Sequence, residues 1–314
     1  SGSEQPLSNY DYLLQPTYHR QGVLIDNEER EKSEFDLFKE ARPGLMNWIM
    51  ETKRDQMIQA FGAIEAGGTY YNYGGTEASG ATGSSAASAA NMDTWVTNNA
   101  DRIMYGTSTT FTAGDHTTSL GNIASTEKMS TDLVEVLKRK AQDADPLIRP
   151  IMVKDDEPWF VLYLGKYAFR DLRDDSTLLT SMQNALARNR DNPLFAGGDL
   201  LWDGVVIKEV PDIDKFIDST GSELWDGVWG ANAASGDTLA TGGTTNARLS
   251  VGFLCGAQAV GFGIGKTASF KRRKEDDYEH LNGVAVSAKH DIKKTFYNNK
   301  QHGMVTTFHA AALD

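Results

Sequence analysis

The sequence has one cysteine, Cys255, so no internal disulfide framework can staple it. That residue ends the apolar run Val251-Gly252-Phe253-Leu254-Cys255, and no cationic neighbour in sequence activates it. The expectation is a buried, inert thiol. No apolar run is long enough to cross a bilayer, and residues 4–20 are polar with scattered aromatics, unlike a secretory signal. No Asn-x-Ser/Thr sequon occurs. None of the 6 histidines forms His-Glu-x-x-His or a paired zinc spacing. No serine sits in a Gly-x-Ser-x-Gly elbow. Positive charge is also short: 31 Lys and Arg face 43 Asp and Glu, for a net charge of -12. That balance weighs against a general nucleic-acid binder, which carries a basic excess.

What remains looks like chemistry only at a glance. Gly261-Phe262-Gly263-Ile264-Gly265-Lys266-Thr267 resembles a phosphate loop, but Val260 stands where the first glycine is required. A glycine-rich strand or turn is the reading left. The clusters Asp155-Asp156-Glu157, Asp174-Asp175 and Glu275-Asp276-Asp277 could supply paired acids to a hydrolase, yet runs of this kind are usually solvated turns. Asp115-His116 reads as part of a polar turn. Lys271-Arg272-Arg273-Lys274 is followed at once by acids and reads as a self-compensating surface loop, with Arg272 and Arg273 as candidate contacts to a neighbouring molecule or to DNA. Trp202, Trp225 and Trp229 lie among glycines and aspartates. Aromatics so placed are either protein–protein contacts or anchors of a loop onto its own core. No metal and no cofactor is implied.

The pattern of elements is α+β. Residues 10–26 alternate loosely and predict a strand or extended arm. Phe35, Phe38, Leu45, Trp48, Ile49, Met57, Phe61 and Ile64 recur at spacings of three and four. They predict a helix from about 34 to 64, kinked or restarted at Pro43, with Leu45, Trp48, Ile49 and Phe61 in its core-facing stripe. Residues 66–90 and 230–247 are rich in Gly, Ser, Ala and Thr and read as loops. A second helix is expected near 126–145, capped by Ser125 or Thr126, with Met129, Leu133, Val136 and Leu137 buried. Strands at 158–164 and 204–210 flank a third helix marked by Leu178, Leu179, Met182 and Leu186. No regular β-α-β rhythm runs through the chain.

From residue 100 onward a series of phrases occurs in a telling order. They are Ile148-Arg149-Pro150, Tyr163-Leu164-Gly165, Asp171-Leu172-Arg173-Asp174 and Asn184-Ala185-Leu186-Ala187-Arg188. Asn192-Pro193-Leu194-Phe195, Trp202 to Ile207, Leu254 to Ala259, Asp277-Tyr278 and Ile292 to Phe296 follow, and upstream Gly2 to Leu7 and Arg42 to Trp48 fit too. In order and spacing the chain resembles the major capsid family of enterobacteria phage N-four and its relatives.

The resemblance implies a Hong Kong 97-type phage capsid fold. Residues 1–30 would end the E-loop, or extended arm. Residues 31–150 would be the peripheral (P) domain, with a spine helix at about 34–64 and a glycine-rich insertion at 66–90. Residues 151–250 would be the axial (A) domain, and 251–314 would return to the P domain. The family's N-terminal arm and outgoing E-loop strand have no counterpart in these residues. The implied function is a non-catalytic shell subunit. It would assemble with itself into hexamers and pentamers of an icosahedral head, made in the host cytoplasm and enclosing double-stranded DNA by non-specific proximity. A portal protein and a decoration or cement protein would be further partners, and no membrane is involved. Two other classes stay open on the residues alone: a hydrolytic, carbohydrate-active enzyme using the acidic clusters, and an adhesive module using the tryptophan-bearing loops.

Overall fold

A computed structural model of the chain describes residues 13–71, 89–107, 114–152, 157–186, 200–215, 249–273 and 281–311. In chain order the first elements are β1 (Thr17–Asp26), α1 (Asn27–Lys32), α2 (Leu37–Phe61), β2 (Ile64–Ala66), β3 (Thr69–Tyr71), α3 (Ala89–Asn98) and β4 (Ile103–Tyr105). Then come α4 (His116–Gly121), α5 (Thr131–Asp143), β5 (Ile151–Met152), β6 (Pro158–Leu164), α6 (Lys166–Arg173) and α7 (Ser176–Leu186). The last are β7 (Leu200–Trp202), β8 (Val205–Glu209), a 3-10 turn at Pro211–Lys215, β9 (Leu249–Cys255), β10 (Val260–Arg273), β11 (Leu281–Lys294), β12 (Phe296–Tyr297), β13 (Lys300–Gln301) and β14 (Met304–Ala310).

Two sheets organise the molecule. The first is antiparallel, in the order β1-β11-β10. Strand β11 alternates strictly: Val284, Val286 and Ala288 are buried, while Ala285, Ser287 and Lys289 are half-exposed. That period-two pattern gives one face to a core and the other to the outside. The covering element is α2, whose Leu45 and Ile49 meet Val284, Val286 and Ala288 in a small core rimmed by Phe38, Trp48, Ala268 and Phe270. At 25 residues, α2 is about 37 Å long. It runs unbroken through Pro43, so the helix does not restart there. Arg42, Pro43 and Gly44 are all exposed, and water can serve the carbonyl that proline cannot. Trp48 is half-buried, at the edge of the stripe that Leu45 and Ile49 fill.

The second sheet has seven strands, in the order β4-β14-β9-β6-β8-β7, with β5 on β6. Every residue of β9 and β14 is buried, so both faces of the sheet's middle are covered. On one side Phe61, Trp95, Tyr105, Phe253 and Phe308 join α3 and the end of α2. On the other, Leu133, Leu137, Phe169 and Leu178 of α5, α6 and α7 meet Leu162, Leu254 and Val305. The sheet draws strands from 103–105, 249–255 and 304–310 as well as from the stretch 151–209.

Helix α5 starts later than expected. Its cap is Ser130, whose Oγ accepts the Leu133 N–H at 3.4 Å, and neither Ser125 nor Thr126 takes that role. The reason is tertiary. Lys128 forms a parallel bridge to Ala310, and the Glu127 carbonyl accepts the Ala310 N–H at 2.9 Å. The chain is thus held extended beside β14 until Ser130. Of the expected stripe, Leu133 and Leu137 are buried with Val134 and Ala141, Met129 is buried just before the helix, and Val136 is only half-buried.

Candidate interaction surfaces

Catalytic chemistry finds little footing in the described residues. Cys255 is buried on β9, and burial pushes its thiol up to about 12 against the opposing pull of Lys294. His116 is not in a solvated turn, as Asp115-His116 suggested. It is buried, with Nδ1 2.7 Å from the Tyr105 hydroxyl. Asp115 caps α4 by accepting the Thr118 N–H at 2.8 Å. The acids at 174–175 are structural: Asp174 ends α6, and Asp175 accepts the Thr131 N–H at 2.8 Å and the Thr177 N–H at 3.0 Å. Burial alone would raise the Asp175 carboxyl, but these bonds from Thr131 and Thr177 outweigh it and hold it low. The phosphate-loop look-alike, Gly261 to Thr267, lies within β10. Asp155, Asp156, Glu275, Asp276 and Asp277 lie outside the described residues. Among the described residues, no three His, Cys, Asp or Glu side chains gather as a metal site.

Surfaces are more informative. Met46, Met50 and Met57 of α2 are all exposed, Met50 by 61%. Offsets of 4 and 11 residues put them on one helix face. Leu24, Phe35, Phe262 and Ile264 are exposed along the first sheet and the turn into α2. Methionine and aromatic side chains on an adaptable face suit repeated contact with other protein.

The named aromatic and basic candidates divide. Trp202 is not in a loop: it lies on β7, half-buried against the second-sheet core, and its Nε1 donates to Glu135 Oε1 at 3.3 Å. That geometry anchors β7 to α5. Trp225 and Trp229 lie outside the described residues. Arg272 and Arg273 are exposed at the end of β10, in a strand and not in the expected loop. The Arg272 guanidinium stacks 4.0 Å from the centre of the Phe38 ring, tying β10 to the start of α2. Of the spine residues, Leu45, Ile49 and Phe61 are buried and Trp48 is half-buried.

Two buried polar groups under the first sheet escaped the sequence reading. His19 and His290 stack with ring centres 4.4 Å apart, and His290 Nε2 donates to Gln56 Oε1 of α2 at 2.8 Å. Lys294, buried at the end of β11, donates to the Phe61 and Ala63 carbonyls at 3.1 and 3.3 Å. Burial lowers its ammonium to about 7, opposed by Cys255. It closes the last turn of α2 from below. No spacing rule marks either group, because each partner lies more than 200 residues away in sequence.

A long helix against a three-stranded sheet, joined to a seven-stranded sheet, defines the fold class. Comparison with solved structures gives the same class. The cyanophage Pam1 capsid matches with a TM-score of 0.79 and 30% identity, over 99% of this chain and 81% of that one. The capsid of Ralstonia phage GP4 shares the fold, with a TM-score of 0.62 at 18% identity, over 99% of this chain and 81% of that one. The major capsid protein of Pseudomonas phage KPP25 is 28% identical over 149 residues, which is 47% of this chain and 35% of that protein. The match thus spans about a third of that relative's length. The chain belongs to the family described as "Phage capsid protein", whose model matches residues 1–313. Its fold is the Hong Kong 97-type capsid fold. The family is structural, so the hydrolase reading drops out.

Proposed function

We propose that this chain is the major capsid protein of a tailed phage, and that copies of it assemble as hexamers and pentamers into an icosahedral head around double-stranded DNA. The observation that carries the reading is the 30% identity to the Pam1 capsid chain over 99% of this one, at a TM-score of 0.79. In this reading α2 is the spine of a peripheral domain, and residues 151–250 supply the axial domain. Assembly would take place in the host cytoplasm, and a portal protein and a decoration protein would join the same shell. The exposed methionine stripe of α2 supports a contact role, because obligate assemblies bury over ~2,000 Å² and more apolar surface than transient ones.

The test is Met50→Asp. Met50 is 61% exposed, so the folded monomer should melt within about 1 °C of the parent. Shell yield, measured by sedimentation of the overexpressed chain, should drop at least tenfold. Full shell yield from the variant would remove the α2 face from the assembly contacts.

A further inference from the structure

The outward face of the first sheet is basic in a chain of net charge -12. Register sets this up. Opposite α2, the sheet presents Tyr18 and Arg20 from β1, Ala285, Ser287 and Lys289 from β11, and Lys266 and Lys271 from β10. The central strand contributes small side chains and the edge strands contribute long ones. The result is a trough of about 550 Å³, floored by Ala285 and Ser287 and walled by Tyr18, Arg20, Lys266 and Lys271. Lys289 lies 5.3 Å from the centre of the Tyr18 ring and stiffens one end. Asp291, the acid of β11 on this face, is already engaged by Lys293 at 3.6 Å and by the Gln15 N–H at 2.7 Å. Among the described residues, no ion pair neutralises Arg20, Lys266 or Lys271.

The same chain exposes the complement elsewhere. The turn from α1 into α2 carries Glu31, Glu34 and the 69% exposed Phe35. The neighbouring acids have duties: Asp26 and Asp36 cap α1 and α2, and Glu28 pairs with Lys32 at 3.4 Å. Glu31 and Glu34 have no ion pair among the described residues.

We infer that the trough receives the acidic turn Glu31–Phe35 of a second copy of this chain. The reasoning rests on the self-assembly proposed above. Opposite charge lies on two different patches of one molecule, which makes the contact head-to-tail, and head-to-tail contacts form rings where their rotation closes. In its own subunit the turn stands off the trough: it follows the Asp26 end of β1, four residues or about 13 Å beyond the level of Lys271 and six residues or about 20 Å beyond Arg20. Dimensions favour a peptide over a duplex. The walls stand two strand spacings apart, about 10 Å. A DNA duplex, whose two grooves alone open about 18 Å, could touch only the rims. The partners of Lys266 and Lys271 on β11 are four residues apart, about 13 Å, within reach of two long glutamate side chains, Glu31 in the last turn of α1 and Glu34 just beyond it.

The experiment uses the full-length chain and a labelled synthetic peptide of residues 25–40. Binding is read by fluorescence anisotropy at low and moderate salt, so it does not depend on whether shells form. The peptide should bind the parent chain. Lys266→Glu with Lys271→Glu should weaken it at least tenfold while leaving the melting temperature in place. A peptide carrying Glu31→Lys and Glu34→Lys should recover binding to that charge-reversed chain to within about threefold. The milder Lys266→Gln with Lys271→Gln serves if the reversed pair fails to fold, and should weaken binding at least threefold. No binding to the parent, or no recovery by the swapped peptide, overturns the inference. It is overturned equally if a short DNA duplex is lost on charge reversal while the peptide is unaffected. Absence of shells from the parent chain would instead sink the proposed function, and peptide binding tells the two apart.

Discussion

At the scale of single residues, the stability of the spine rests on partners brought from far along the chain. Ile49 is 1% exposed and fills the core between α2 and β11, while Trp48 beside it is half-buried. Ile49→Ala should therefore cost about 3 kcal/mol and Trp48→Ala clearly less, about 1–2 kcal/mol, by denaturant unfolding. The reverse order would mean that the stripe is rotated. Lys294 makes a sharper case. Its ammonium serves two carbonyls at the end of α2, and a methionine of similar length would leave both dry. Lys294→Met should cost about 2–3 kcal/mol despite removing a buried charge. A variant as stable as the parent would show that those carbonyls find another donor. The helical stripe was legible because Leu45, Ile49 and Phe61 repeat at helical spacing. Lys294 was not legible, because a lysine near a strand end reads as solvated until the fold sets it under a helix.

At the scale of elements, local pattern located strands and helices well and their starts less well. The apolar run Pro158–Leu164 became β6, and Val205–Glu209 became β8. The expected cap at Ser125 or Thr126 gave way to Ser130, because pairing of Lys128 with β14 outranks a local hydrogen bond. Helix α6 went unnoticed, since its apolar signal is only Ala168, Phe169 and Leu172 within eight residues. The glycine and aspartate neighbours of Trp202 suggest a loop, yet Asp203 and Gly204 only make the tight turn between β7 and β8, both with positive φ. One carboxylate ties two elements: Asp175 serves the backbone at the starts of both α5 and α7. Asp175→Ala is expected to lower stability by about 2 kcal/mol, twice the usual loss for one cap. The loss should shrink as pH falls, because protonation of this depressed carboxyl already removes its advantage in the parent. A pH-independent loss would assign the effect to packing.

At the scale of the whole molecule, buried histidines set an acid limit. His309 is fully buried on β14 with neither ring nitrogen hydrogen-bonded, and burial lowers it to about 4. His290 is also lowered to about 4, first by burial and then by His19 and Lys53, against the pull of Asp291. Both are neutral in the folded chain and take up a proton near 6.5 when unfolded. These two histidines thus add no pH dependence above about pH 7, and their contribution falls from there toward pH 4, by about 2 kcal/mol for His309 between pH 7 and 5 and by less for His290, whose shift solvent screens in part. His309→Gln should flatten part of that slope, as followed by thermal melting across pH. An unchanged slope would place the acid sensitivity elsewhere.

The order of the family's phrases along the chain made the class of molecule legible, while the two faces proposed to meet other copies depend on strand register, which no local spacing shows. The most direct measurement of the central claim is electron microscopy of the overexpressed full chain. Closed shells, or tubes and rings of the same subunit, are the predicted result, with α2 lying along the shell wall in a side-chain-resolution map. A monodisperse, solitary molecule under every condition of salt and pH in which the chain stays folded would contradict it.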